Sequence, residues 1–383
     1  MTMKRRRLLA AMASAGALLP LIGVGTGRAA AAGKPVEAHI ALRSPWMANQ
    51  VAVTSDGTLF LGLPRYAKDK ASPALAKREA DGTLRPFPGN DWNDWAPGKD
   101  GAERFVYLNS VHVFGDDTIW CVDQGALSAG VFGPDLAVPQ PGAQKIVQLD
   151  PSGKVLRILR FDETILPAGG QMNDLRLHGD LLYIADSGLG GIIVHDLATG
   201  KSLRRLSGAK VTMADPDAQI PAVLAHVKGD ATFHPPNSDL IELTADGRWL
   251  YWASPTGPLW RVRTEALRDV SLSEEALAEH VQNMGAMPFS GGSAMDDLGN
   301  FYFCETTTNR LEVRSPEGKT VTLLEDERLV RPDGGFIKGR TLYVPVKVPL
   351  ADTRDGAAPT FAIYSIALPD AVDGVRLGSQ IRT

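Results

Sequence analysis

The chain has 383 residues, with 40 Lys and Arg against 44 Asp and Glu, 39 Gly, 26 Pro and two Cys. That length buries a large core, and beyond residues 1–32 no basic stripe is present, which argues against nucleic acid or anionic membrane as a partner. The abundance of Gly and Pro calls for many short strands joined by tight turns.

The N-terminus has the pattern of an export signal. Lys4, Arg5, Arg6 and Arg7 precede an apolar run from Leu8 to Val24, and Ala29 to Ala32 offer small residues to a signal peptidase. Arg5-Arg6-Arg7-Leu8-Leu9 fits the twin-arginine pattern, with an ordinary secretory signal as the alternative. The run is short for a membrane span and contains Pro20, so the mature form is expected to carry no membrane anchor. Residues 1–32 are therefore assigned to a signal peptide and 33–383 to one periplasmic or secreted domain. Cleavage removes five basic residues and no acids, leaving 35 basic against 44 acidic residues, a charge of −9.

An alternating strand from Val36 to Leu42 comes next, and then a hairpin phrase recurs six times. Each copy opens with a small, polar or Pro-Asp corner, continues as an alternating stretch, turns, and returns as a strand carrying an aromatic. The openings are Asn49, Asn109, Asn173, Ser238-Asp239, Gly292-Ser293 and Pro332-Asp333; the aromatics are Phe60, Trp120, Tyr183, Tyr251, Tyr302 and Tyr343. Opening and aromatic stand 10 to 13 positions apart. A hairpin restarting every ~40–65 residues predicts an all-β, six-bladed β-propeller. A β-sandwich is the alternative, but it gives no reason to restart one hairpin six times.

Outer strands follow the inner ones: Lys145 to Leu149 with Val155 to Leu159, Ile192 to Asp196 with Lys201 to Leu206, and Arg310 to Val313 with Thr320 to Leu323. The terminal segments Val36 to Leu42 and Phe361 to Leu368 are expected to pair within one blade and close the ring. Two connections break the rhythm. Residues 207–237 are long enough for a lid over one end or a solvated excursion, and 271–280 suggest a helical turn with Ser at its start and acids behind it. Cys121 and Cys304 occupy equivalent places in different blades, which predicts two buried, unpaired thiols.

Hairpin geometry brings the start of each inner strand and the end of the next strand to one face of the disk. Asn49, Asn109, Asn173, Asp174, Asp239, Ser293 and Asp333 should therefore share a rim with Asp123, Asp186, Ser187, Ser254 and Glu305. Such oxygen-bearing side chains around a channel suit a small-molecule ligand or one divalent cation of the Ca or Zn class. For each taken singly, turn capping is the stronger expectation. No HExxH, CxxC pair, GxSxG or phosphate loop is present. His112, His178 and His195 fall within strands and suggest packing. His234, leading from the long connection to the Asp239 corner, is the histidine placed for ligand binding.

A family resemblance then emerges. Phe60-Leu61-Gly62-Leu63-Pro64-Arg65-Tyr66, Pro86-Phe87-Pro88 with Trp92-Asn93, Ile119-Trp120-Cys121-Val122-Asp123-Gln124-Gly125, and Tyr183-Ile184-Ala185-Asp186-Ser187 with Gly191 to Leu197 resemble, in order, the signatures of the major royal jelly protein/yellow family. The resemblance covers roughly residues 45–365. It implies an exported six-bladed propeller binding a small molecule at one end of its channel; some relatives convert dopachrome and others bind biogenic amines or sterols. The chain lacks the insect members' additional cysteines and has His195 where they have Tyr. A more distant likeness is to gluconolactonase-type propellers, whose divalent cation sits on Glu, Asn and Asp at blade corners. Asn173 and Asp239 occupy similar corners, while Asn49-Gln50 replaces the Glu.

Three readings follow. The first is a monomeric binder of a small polar or aromatic metabolite, extended to isomerisation of the dopachrome-tautomerase type. There Asp186, Asp239 or Glu305 would do acid–base work, and Asn49, Asn109, Asn173, His234 and Asp333 would hold the ligand. The second is a metal-assisted lactone hydrolase with the cation on Asn173 and Asp239. The third is a carrier without catalysis.

Overall fold

The computed structural model describes residues 35–65, 72–89, 91–127, 138–215, 235–350 and 360–382. The proposed signal segment, His234 and most of the long connection lie outside the described residues. Val36–Thr383 form one compact unit.

The alternating sequence folds into six four-stranded antiparallel sheets. Blade 1 runs Gln50–Val53, Leu59–Gly62, Leu75–Arg78, Leu84–Pro86, and blade 2 runs Leu108–Val113, Ile119–Asp123, Lys145–Leu149, Val155–Leu159. Blade 3 is Met172–His178, Leu181–Asp186, Ile192–Asp196, Ser202–Arg205, and blade 4 is Leu240–Leu243, Trp249–Ala253, Trp260–Arg263, Gln282–Asn283. Blade 5 is Ser290–Met295, Phe301–Glu305, Arg310–Arg314, Thr320–Glu325. Blade 6 joins Phe336–Lys338, Thr341–Pro345 and Phe361–Ala367 to the N-terminal strand Ala38–Ser44. This pairing of N- and C-terminal strands leaves the ring without a broken blade, as the two terminal segments predict. The six-bladed propeller is therefore observed.

The core lies between blades. The second strands are almost fully buried, so their aromatics fill the wedge between neighbouring sheets: Phe60, Trp120, Tyr183, Tyr251 and Tyr302 are buried, and Tyr343 packs partly buried. Cys121 and Cys304 sit among them as buried free thiols. Burial raises both thiols' pKa, so they are inert packing groups. The helix Glu274–Glu279 begins at Ser273, whose side chain accepts from the Ala276 N–H, as its sequence predicts.

Two motif residues prove to be latches. Arg65 donates to the carbonyls of Ser72, Asn93 and Phe105. Asn93 Oδ1 accepts from the N–H groups of Ala74 and Leu75 while its Nδ2 donates to the Phe87 carbonyl. Together they tie the 87–105 segment to blade 1.

Candidate functional site

At one end of the channel a cavity of about 920 Å³ opens among the starts of the inner strands. Three of those strands enter with a register shift, between Leu108 and Ser110, Met172 and Leu175, and Ser290 and Gly292. Such a bulge leaves a residue outside the ladder and re-aims its side chain. Asn109, Asn173 and Asp174 occupy these places and face the cavity. The approach is close on the other side too: a Cβ on Gly292 would lie 2.5 Å from the Gly334 nitrogen, so glycine is required there.

The amides form a directional chain from blade to blade. Asn49 Nδ2 donates to the Asn109 carbonyl at 3.0 Å, and Asn109 Nδ2 to the Asn173 carbonyl at 3.1 Å. Asn173 Nδ2 then donates to Asp239 Oδ1. Backbone carbonyls only accept, so chemistry fixes the amide orientations of Asn49 and Asn109, while Asn173 donates to the Asp239 carboxyl. The chain ends on Asp239. Burial first, and the nearby Asp333 carboxylate second, push the Asp239 pKa up to about 7. Lys347 pulls it down and Asp174 adds to the rise. Asp333 is also raised by burial, although Lys347 pairs with it and opposes the shift.

A charged partition lies below. Arg176 reaches Asp174 Oδ2 with Nη1 at 2.7 Å and grips Glu242 through Nε (2.9 Å) and Nη2 (2.7 Å). Ser293 donates to Glu242, and Gln50 Nε2 to Asp174 at 3.3 Å. Burial alone would raise the Asp174 pKa, but Arg176 holds it below the usual carboxylate value. Beneath the partition is a second cavity of about 50 Å³ lined by His112, Phe114 and Phe336. Burial drives the His112 pKa down to about 3, so its ring is neutral.

The sequence-derived site divides. Asn49, Asn109, Asn173, Asp174, Asp239, Ser293, Asp333 and Ser187 all line the mouth cavity. Asp186 and Glu305 do not line it, and neither do Asp123 and Ser254. Asp186 is fully buried, bonded to Arg204 Nη2 at 2.7 Å and to the N–H groups of Gln171, Gly188 and Leu189. Asp123 is held in the same way by the fully buried Lys145 at 2.8 Å and by the N–H groups of Val106, Tyr107 and Gly125. Glu305 accepts from Thr307 and lies near Arg310 and Glu312 of the next strand. The reason is the pleat: in these three blades the next residue faces the cavity, namely Gln124, Ser187 and Thr306. Sequence reasoning missed Lys347 and Arg331, which line the blade 6 side. Both flank the last hairpin's open end, a place the sequence shows, but their turn towards the cavity depends on how those ends meet.

The corner residues do not fit a preformed divalent-cation cage. Asn173 turns its amide nitrogen, not its oxygen, towards Asp239, and the Lys347 ammonium already sits on Asp333. The first corner supplies Asn49 and Gln50 rather than a carboxylate. Among the described residues no three His, Cys, Asp or Glu side chains converge. What the mouth offers is hydrogen-bonding amides, one carboxyl poised between charge states, and a lysine–aspartate pair.

The family model for the major royal jelly protein matches residues 110–325. No curated protein sequence matches the chain. Among solved structures, virginiamycin B lyase from Staphylococcus aureus is similar with a TM-score of 0.50 and 12% identity, over 87% of this chain and 99% of that one. A gluconolactonase from Xanthomonas campestris is similar with a TM-score of 0.49 and 12% identity, over 88% of this chain and 95% of that one. At 12% identity the likeness to the lyase is one of fold alone.

Proposed function

Because the chain belongs to the major royal jelly protein family, its matched segment covering more than half of the sequence, we propose that it binds a small polar or aromatic metabolite at the channel mouth and moves a proton on it. The observation that carries this reading is Asp239: a part-buried carboxyl at the end of an asparagine relay, with a pKa of about 7, facing a large cavity. A general base is most effective when its pKa lies near the working pH. As carboxylate, Asp239 takes the proton from a carbon beside a carbonyl. The C–H electrons become a C=C bond and the carbonyl oxygen takes the charge. Asp239 then returns the proton to another atom of the same molecule, so the reaction is an isomerisation with nothing gained or lost. Asn49, Asn109 and Asn173 hold the carboxyl in place, and Tyr107 and Phe289 supply flat apolar surface in the cavity wall.

The test is turnover of dopachrome, followed by its loss of colour, by the protein and by Asp239→Asn. Turnover by the former and not by the latter is expected. Retained binding without turnover in both would favour the carrier. Turnover of a lactone that chelator abolishes, with a stoichiometric cation lost in Asn173→Ala, would favour the hydrolase instead. The N-terminal segment supports export, and we take the mature protein as a monomer; the mass of the mature chain and its elution volume test the two points.

A further inference from the structure

The blade 6 side of the mouth has chemistry of its own. Pro332 and Val346 form an antiparallel bridge, and the Lys347 N–H donates to the Arg331 carbonyl at 3.2 Å. Arg331 and Lys347 therefore stand opposite each other on neighbouring strands, an arrangement of like charges that is unfavourable unless anions offset it. Asp333 meets the Lys347 ammonium. The Arg331 guanidinium lies within Coulombic reach of Asp333 but makes no hydrogen bond among the described residues, and its Nε is buried without a partner. Arg331 also has a left-handed backbone, φ 53°, which a residue with a Cβ adopts at a cost. Strain held at a cavity wall, together with a guanidinium that lines that wall without a hydrogen bond, points to a ligand.

We propose that Arg331, supported by Lys347, is the anchor for a carboxylate on the ligand, so that the mouth selects molecules carrying an anionic group beside a carbonyl. This rests on the proton-transfer reading of Asp239 and names the ligand class it would act upon. Arg331 takes the carboxylate through the N–H edge of its guanidinium, two parallel donors that match a planar oxyanion. The acidic carbon next to the carbonyl then points across the mouth to the amide relay and Asp239. An anion arriving there also favours the protonated form of Asp239, so binding takes up a proton, and the carboxylate that abstracts the carbon's proton forms in the complex as pH rises further.

The test compares pyruvate, phenylpyruvate and 2-oxoglutarate with their ethyl esters, by calorimetry on the full mature protein, Arg331→Gln and Arg331→Gly. Glycine accepts a positive φ, so the second variant folds at least as well while losing the guanidinium. Expected is a preference of about tenfold or more for at least one acid over its ester, the size of a charge-assisted contact. Both variants should lose that preference, and acid binding should weaken as pH rises through about 7. Equal affinity for acid and ester, or a preference that survives in both variants, overturns the carboxylate anchor and leaves the Asp239 reading intact. Binding of none of the probes, with no turnover dependent on Asp239, overturns both.

Discussion

Replacing Asp239 by Asn isolates the electrostatic cost of the mouth. In the unfolded chain this carboxyl titrates near 3.8, and in the fold near 7. Between those values the folded state keeps a proton that the unfolded state has released, so stability falls as pH rises through the window and levels off above it. About three pH units at 1.36 kcal/mol each give a penalty of about 4 kcal/mol at neutral pH and above. Asn keeps the oxygen that Asn173 donates to and removes the charge. Asp239→Asn should therefore unfold like the parent at about pH 4 and be more stable by up to about 4 kcal/mol at about pH 8, read as a shift in the urea midpoint at unchanged slope. An equal difference at both pH values would mean that Asp239 ionises normally in the fold, and its role in proton transfer would lose its basis.

Other substitutions separate structure from site. Asp186→Ala strands Arg204 in the interior and should cost about 3–5 kcal/mol while leaving ligand affinity unchanged; a selective loss of turnover in a protein of normal stability would contradict this. Lys145→Met leaves Asp123 buried without its counterion, and a similar loss is expected in thermal or urea unfolding. Arg176→Met exposes Asp174 and Glu242 to each other without a cation, so its loss of stability should shrink on acidification as the two carboxyls take up protons. Cys121 and Cys304 should resist thiol reagents in the native protein and react on unfolding; rapid native labelling would argue against their burial.

The sequence by itself determined the architecture. Six alternating hairpins, each with an aromatic in the second strand, have few ways to bury those aromatics other than between successive sheets, and the matching terminal strands called for closure within one blade. It also located the rim, because inner strands that start together at one face bring Asn49, Asn109, Asn173, Asp239 and Asp333 together whatever the details of packing. Tertiary structure alone decided which oxygens face the ligand. Alternation has a period of two, so a one-residue difference in phase turns Asp186 into a buried partner of Arg204 and leaves Ser187 in the cavity wall. The bulges that aim Asn109 and Asn173 arise from strand register, which local pattern does not encode. Nor does it encode the approach of Lys347 to Asp333, fourteen residues apart and joined only when the last hairpin's ends meet. The pKa of Asp239 belongs to the same class: it comes from burial and from carboxylates on other blades, and exists only once the ring is closed.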